Sequence, residues 1–307
     1  MLETQPLLSG SSLTSFKDQL RETAGAVETA LDRLLPVPTG HQSVVADAMR
    51  YAALGGGKRL RPFLVIETAR MLGGDLDNAM TVGCALECLH VYSLVHDDLP
   101  CMDDDDMRRG KPAVHKRYDA AIAVLAGDGL LTHAFELLAG EGAHDDPVIR
   151  ARLVLELARA GGTHGMIGGQ VVDMTVAEAA RDTALITHLQ AMKTGALIRF
   201  ATKAGALIAR AEPHDLVALD RFADALGLAF QIRDDILDVE GDADLVGKAV
   251  GKDADLGKAT FVSLLGLNGA KEKAQALGDT ARAALAPYGE KAQALVGTVD
   301  FVLQRQH

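Results

Sequence analysis

The stretch His90–Arg109 reads His-Val-Tyr-Ser-Leu-Val-His-Asp-Asp-Leu-Pro-Cys-Met-Asp-Asp-Asp-Asp-Met-Arg-Arg, and it constrains the chain more than any other. Six aspartates, Asp97, Asp98 and Asp103 to Asp106, fall within ten positions directly after an apolar run. That order places the acids where a buried helix emerges. Carboxylates so dense repel one another unless a cation screens them, and oxygen-only clusters suit hard ions such as Mg²⁺. Arg108 and Arg109 follow at once, so the cations' other partner is an anion, most simply a phosphate. The stretch therefore asks for a metal-bridged diphosphate site at the end of a buried helix.

The remainder of the chain favours helices. Residues are 48% hydrophobic but only 4% aromatic, without Trp, and the Ala/Leu-rich composition suits close helix packing better than β-branched sheet. Periodicity predicts helices over 16–35, 44–53, 63–72, 76–98, 116–139, 147–160, 183–209, 215–239, 269–285 and 290–304, with residues 161–173 as a glycine-rich break. No useful alternating strand run and no repeat of a fixed period is present. No Pro/Ser-rich linker divides the sequence, so residues 1–307 read as one all-α domain, long enough to bury a sizeable core.

A net charge of −11 argues against a nucleic-acid partner and for a soluble acidic protein. Met1 to Gly10 lacks a basic segment followed by an apolar one, so no signal peptide is expected. No uncharged apolar run reaches the ~20 residues of a membrane span. The cysteines, Cys84, Cys88 and Cys101, are odd in number and form no CxxC pair, which fits free thiols in a reducing cytoplasm.

A second acid group lies about 130 residues on. Gln231, Asp234, Asp235 and Asp238 sit at i, i+3, i+4 and i+7, one polar stripe of a helix flanked by Phe230, Ile232, Ile236 and Leu237. A lone DDxxD stripe is more often a solvated face; apolar flanks and a partner cluster favour a shared cation. Asp145-Asp146 is a useful control, because it precedes Pro147 without that spacing and helix capping accounts for it.

Cations come in matching groups. Lys58, Arg59 and Arg61 occupy a glycine-rich loop that could hold a phosphate, although it lacks the pattern of a Walker loop. Lys193-Thr194-Gly195 and Lys248, Lys252 and Lys258 add to them, each of which could singly be a surface residue. His90 lies two helical turns before Asp97, roughly 10 Å along the axis, and is as readily a core histidine as a phosphate donor. His96 faces elsewhere and reads as structural, and Cys84 and Cys88 read as core.

With these residues in hand, the chain resembles the class I trans-prenyltransferases, and among them the bacterial-type farnesyl diphosphate synthases, from about Val44 to the C-terminus. Asp97-Asp98-Leu-Pro-Cys-Met-Asp103 matches the first aspartate-rich motif in its longer form, followed by Arg108-Arg109-Gly-Lys-Pro. Asp234-Asp235-Ile-Leu-Asp238 matches the second, and Gly56 to Pro62, Gly168-Gly169-Gln170 and Lys193-Thr194-Gly195 fall in family order.

The resemblance implies a helical isoprenoid-synthase fold with a central cavity, a homodimer and a cytoplasmic location. It implies that Asp97 and Asp103 hold two Mg²⁺ ions and that Asp234 and Asp238 hold a third. Arg108, Lys193, Thr194, Gln231, Lys248 and Lys258 would grip an allylic diphosphate, dimethylallyl or geranyl. Lys58, Arg61, His90 and Arg109 would bind isopentenyl diphosphate, with Asp98 joining the catalytic set. Tyr92 and Ser93, about 6–7.5 Å below Asp97 along the helix, would limit product length. Pro-Cys-Met inside the first motif is also similar to geranylgeranyl diphosphate synthases, and a geranyl synthase is a further option. An HD-type phosphohydrolase would leave the second acid helix unexplained, and a terpene cyclase would not need Lys58 and Arg61. A non-catalytic prenyl-diphosphate-binding subunit would be expected to have lost one of these motifs.

Overall fold

The computed structural model describes residues 16–176, 182–240 and 260–305. Its centre is α4 (Leu76–Asp97), which is apolar around its whole circumference and must therefore be surrounded. Among the described residues α1 (Phe16–Leu34), α2 (Ser43–Ala53), α3 (Leu60–Leu72), α6 (Ala120–Ala139) and α10 (Ala196–Ile208) pack on it. Ala79, Val82, Ala85, Leu86 and Leu89 have no solvent exposure, so the acids at its C-terminal end emerge from the core. The all-α expectation holds.

The second half is built round α11 (Pro213–Glu240), which packs on α10 and on α12 (Phe261–Leu285), with α13 (Gln293–Gln304) against both α11 and α12. A smaller core of Ile186, Ile232, Ile236, Phe261, Ala270 and Ala274 joins these elements. Between the halves lie α7 (Pro147–Gly161), α8 (Met166–Thr175) and α9 (Thr183–Gln190).

Aspartates begin several of these helices. Asp75, Asp119, Asp146 and Asp182 each accept a backbone N–H of the first turn, so the capping read for Asp145-Asp146 falls to Asp146, bonded to Val148 N at 2.8 Å.

The helix expected from Phe63 begins at Leu60, which places Arg61 on it, and the last helix begins at Gln293 rather than Glu290; four larger differences each have a local reason. The glycine-rich break at 161–173 is largely helix: α8 contains Gly168 and Gly169 because it lies against another backbone, and a Cβ on Gly169 would stand 2.4 Å from Lys193 N. The helix expected from Lys116 is split into α5 (Val114–Arg117) and α6, with Asp119 extended between them as the cap. The helix expected from Gly269 begins at Phe261 and kinks at Gly266, whose φ of 70° hid the continuity. The helix expected over 183–209 is interrupted by a π-helical turn, Ala191–Gly195. A two-residue antiparallel hairpin, Met107–Arg108 with Lys111–Pro112, is the only sheet among the described residues.

By length and composition α6 could cross a membrane. It carries Asp128 and Glu136, however, and Ala123, Ala126, Leu130 and Ala134 are sealed against the rest of the bundle, so it is a core helix.

Candidate active site

Three hydrogen bonds trace an arc from Asp97 to Gln231, one turn before Asp234. Asp97, in the last turn of α4, accepts Gln170 Nε2 of α8 at 3.2 Å. One turn on, Asp173 of α8 receives Lys193 Nζ at 2.7 Å. Lys193 stands on the π-helical turn, whose extra residue re-aims side chains, and its neighbour Thr194 donates to Gln231 Oε1 of α11 at 3.1 Å. Gln231 is one turn before Asp234, so the arc carries four helical segments from one acid motif to the other.

Around Asp97 the loop folds back. Asp103 N bonds Asp97 O at 2.8 Å, which brings the last acid of the motif beside the first. Burial, then the charge of Asp103, pushes the Asp97 carboxyl up to about 6. Two crowded carboxylates of this kind are a fit for a hard divalent cation. Asp98 does something else: it is buried and accepts Arg108 Nε at 2.9 Å, with a second bond from the same guanidinium. It therefore holds Arg108 beside the first acid motif.

The second motif divides in the same way. Asp235 is buried and accepts the backbone N–H of Phe261 at 2.8 Å, anchoring the start of α12. Asp234 carries a cation already, Arg305 Nη2 at 2.5 Å. That guanidinium also bonds Phe230 O at 2.9 Å and stacks 3.9 Å from the Phe230 ring. Arg233 fixes the Arg305 carbonyl at 2.8 Å. In the sequence Arg305 offers a single cation for a closing tail and stays unassigned, because a lone arginine there carries no motif.

A cationic pocket adjoins. Arg61 Nη1 stands 3.3 Å from His90 Nε2, and because a guanidinium can only donate, that imidazole is neutral and keeps Nδ1–H as a donor. Burial, then Arg61 and Arg109, holds His90 well below its ordinary pKa. Burial likewise lowers Lys58, Arg61 and Arg109, and Arg61 Nε is a buried atom without a partner. Crowded, desolvated cations with an orphaned donor mark a place for a polyanion. Arg109 bonds Gly56 O and lies so close to Gly57 that a Cβ there would meet its Cζ at 2.8 Å. Gly57 also has φ +126°, so both its conformation and its lack of a side chain are needed.

Beneath that pocket is an acid that sequence reading passed over. Glu87 is buried in α4, pairs with Arg59 at 2.6 Å and lies 3.8 Å from Arg109. Arg59 in turn pairs with Glu28 of α1 at 2.5 Å. A single Glu inside an apolar run gives no motif; only an unmatched arginine in the glycine loop could have hinted at it. Tyr92 is 5% exposed, and its hydroxyl is pushed up to about 12 by burial and by the charge of Asp97, which places it under the first motif. Ser93 is half-buried and spends its hydroxyl on His90 O at 2.8 Å. Lys248, Lys252 and Lys258 lie outside the described residues.

Asp104, Asp106 and His115 form a further oxygen–nitrogen group whose donor atoms lie within 4.8 Å of one another, the two acids exposed and the histidine buried, and Lys116 also holds Asp106 at 2.8 Å.

The polyprenyl synthetase family model matches residues 42–296. The farnesyl diphosphate synthase of Geobacillus stearothermophilus is 46% identical, over 84% of this chain and 87% of its own. That of Escherichia coli is 43% identical, over 94% and 99%. An FPP/GFPP synthase from Zymomonas mobilis, solved as an apo structure, superposes with a TM-score of 0.85 at 44% identity, covering 94% of this chain and 98% of that one.

Proposed function

The chain belongs to the polyprenyl synthetase family, and from that premise we propose that it is a farnesyl diphosphate synthase, joining isopentenyl diphosphate to dimethylallyl and then to geranyl diphosphate. The observation that carries this reading is the arc from Asp97 toward Asp234 with the Lys58/Arg61/His90/Arg109 pocket beside it: one acid-lined site and one cationic site. Relatives named for geranylgeranyl products are 36–41% identical, below the two farnesyl diphosphate synthases at 46% and 43%.

Asp97 and Asp103 suit Mg²⁺ because their carboxylates crowd a half-buried place, and Asp234 with Asp238 suits it because a guanidinium already sits at Asp234. Three Mg²⁺ ions held there would neutralise the leaving diphosphate. Arg108, Lys193, Thr194 and Gln231, with Lys248 and Lys258, grip the allylic diphosphate, and their charges stabilise it as the allylic C–O bond breaks. Lys58, Arg61, Arg109 and the Nδ1–H of His90 hold isopentenyl diphosphate, which keeps its own C–O bond. Its double bond attacks the allylic cation, a C–C bond forms, and a proton leaves, most simply to the released diphosphate. No nucleophile of the protein takes part. Tyr92 closes the space below Asp97, and it stops the tail at the farnesyl length.

The exposed apolar residues Val124 and Leu125 on α6 and Val148 and Leu155 on α7, helices that pack together, support a homodimer through this face. Buried free thiols at Cys84 and Cys88 suit a cytoplasmic enzyme.

One observation favours a longer product beside farnesyl diphosphate, the likeness to a protein named as an FPP/GFPP synthase. The test is direct. Isopentenyl and dimethylallyl diphosphates with Mg²⁺ should give farnesyl diphosphate as the main product, with turnover lost in Asp97→Ala and Asp234→Ala variants that remain folded. A mainly geranylgeranyl product would overturn the chain length, and near-normal turnover in either variant would overturn the metal-bridged site.

A further inference from the structure

Below the first acid motif, Tyr92 does not stand alone. One turn on, the His96 ring meets it edge to face, centroids 5.6 Å apart and planes at 87°. His96 is itself held from the neighbouring helix: its Nε2 lies 3.1 Å from Val124 O of α6. A carbonyl only accepts, so Nε2 carries the proton and the tautomer is set.

The slot that receives the imidazole is made by Gly127. A Cβ at that position would lie 2.1 Å from His96 Nε2 and 2.4 Å from Cδ2, closer than any real contact. Gly127 lies in the interior of α6 and has no positive φ, so its backbone does not require glycine. Glycine there is a poorer helix former than alanine. What it provides is room for His96.

We propose that His96, seated in the Gly127 slot and tied to Val124, is a positioning residue that fixes the ring of Tyr92 and so sets the depth of the product cavity. The inference rests on the reading of Tyr92 as the block to chain growth. The T-shaped contact with His96 restrains the Tyr92 ring on that side. Removing the imidazole opens a space the size of a ring between α4 and α6. The phenol can then tilt into it, and the growing tail gains length.

The experiment compares product distributions from isopentenyl and geranyl diphosphates for the wild type, Tyr92→Ala, His96→Ala and the double variant. His96→Ala should raise the geranylgeranyl-to-farnesyl ratio by roughly tenfold, the lower end of what a methylene's worth of pocket space discriminates. In the Tyr92→Ala background the His96 change should add nothing, because the ring it positions is gone. If His96→Ala does not fold, His96→Gln, which can still donate to Val124 O but has no ring, carries the same expectation. A lowered rate with an unchanged product ratio would overturn the positioning role while leaving Tyr92 as the block. An unchanged ratio in Tyr92→Ala would overturn the block itself, and the two failures are read separately in the same assay. A His96 effect fully retained in the Tyr92→Ala background would also overturn the proposal, since it would act without the phenol.

Discussion

At the scale of single residues, each acid motif divides its leading pair between cleft and scaffold. Asp98 holds Arg108 and Asp235 holds the N–H of Phe261, while Asp97 starts the arc and Asp234 lies one turn past its end. Burial and the neighbouring Asp103 raise the Asp97 carboxyl to about 6, well above its unfolded value. A group raised in this way supports the fold below its unfolded pKa, and that support is lost as pH rises through about 6. Asp97→Asn, neutral throughout, should therefore melt higher than the wild type at about pH 8 without metal, with the advantage fading toward about pH 4. Calorimetry across that range checks it; an advantage independent of pH would assign the effect to packing. Glu87 makes a different prediction. Its loss leaves Arg59 short of a buried partner and Arg109 without its anionic neighbour. Glu87→Gln should destabilise the fold by about 3 kcal/mol, as for other broken buried pairs. It should also raise KM for isopentenyl diphosphate more than for the allylic substrate; equal effects on both would sever Glu87 from the cationic pocket.

At the scale of elements, the cleft depends on the approach of α8 to the π-helical turn. Gly169 permits it, since a Cβ would stand 2.4 Å from Lys193 N and 2.7 Å from Lys193 Cα. Gly169→Ala should cost roughly 1–3 kcal/mol as an overpacked contact. A shift of about 1 Å in Lys193 and Thr194 should lower kcat on the order of 10²-fold. Steady-state kinetics beside a thermal melt separates the two effects, and a variant with lower stability but normal kcat would remove the π-turn from the catalytic geometry. This is also where the sequence was hardest to read. Glycines in succession read as a break, because propensity penalises them in helices, and only the partner backbone explains why α8 keeps them. A π-helical turn has no compositional sign at all. The acid stripes, by contrast, were legible at the correct helical positions, because six carboxylates in ten positions and a DDxxD face leave few physical options. The cations of the pocket were legible as a group and not as a geometry. Glu87, Asp173 and Arg305 were not, because each is a single residue whose partner lies far along the chain or, for Arg305, across the molecule at Asp234.

At the scale of the whole molecule, α6 links three features that sequence reading kept apart. Its inner face, Ala123, Ala126, Leu130 and Ala134, packs into the bundle and makes it a core helix despite its apolar length. Its outer face leaves Leu125 half exposed, and Val148 and Leu155 are exposed on α7, which packs against it. Between the two faces, the carbonyl of Val124 and the slot at Gly127 hold His96, and through it Tyr92. If a second copy covers the outer face, the position of α6 is set by that copy as well as by α4, and product length becomes a property of the assembly. Leu125→Asp puts a charge into that interface, where an unpaired buried carboxylate is strongly unfavourable. Light scattering should show the wild type as a dimer and Leu125→Asp as a monomer over micromolar concentrations, with a lower thermal midpoint that no longer depends on concentration. The monomer should also release a larger share of geranylgeranyl diphosphate, because α6 is then free to move away from His96. A variant that stays dimeric would place the interface elsewhere. A monomer with an unchanged product profile would show that α4 alone holds Tyr92 in place.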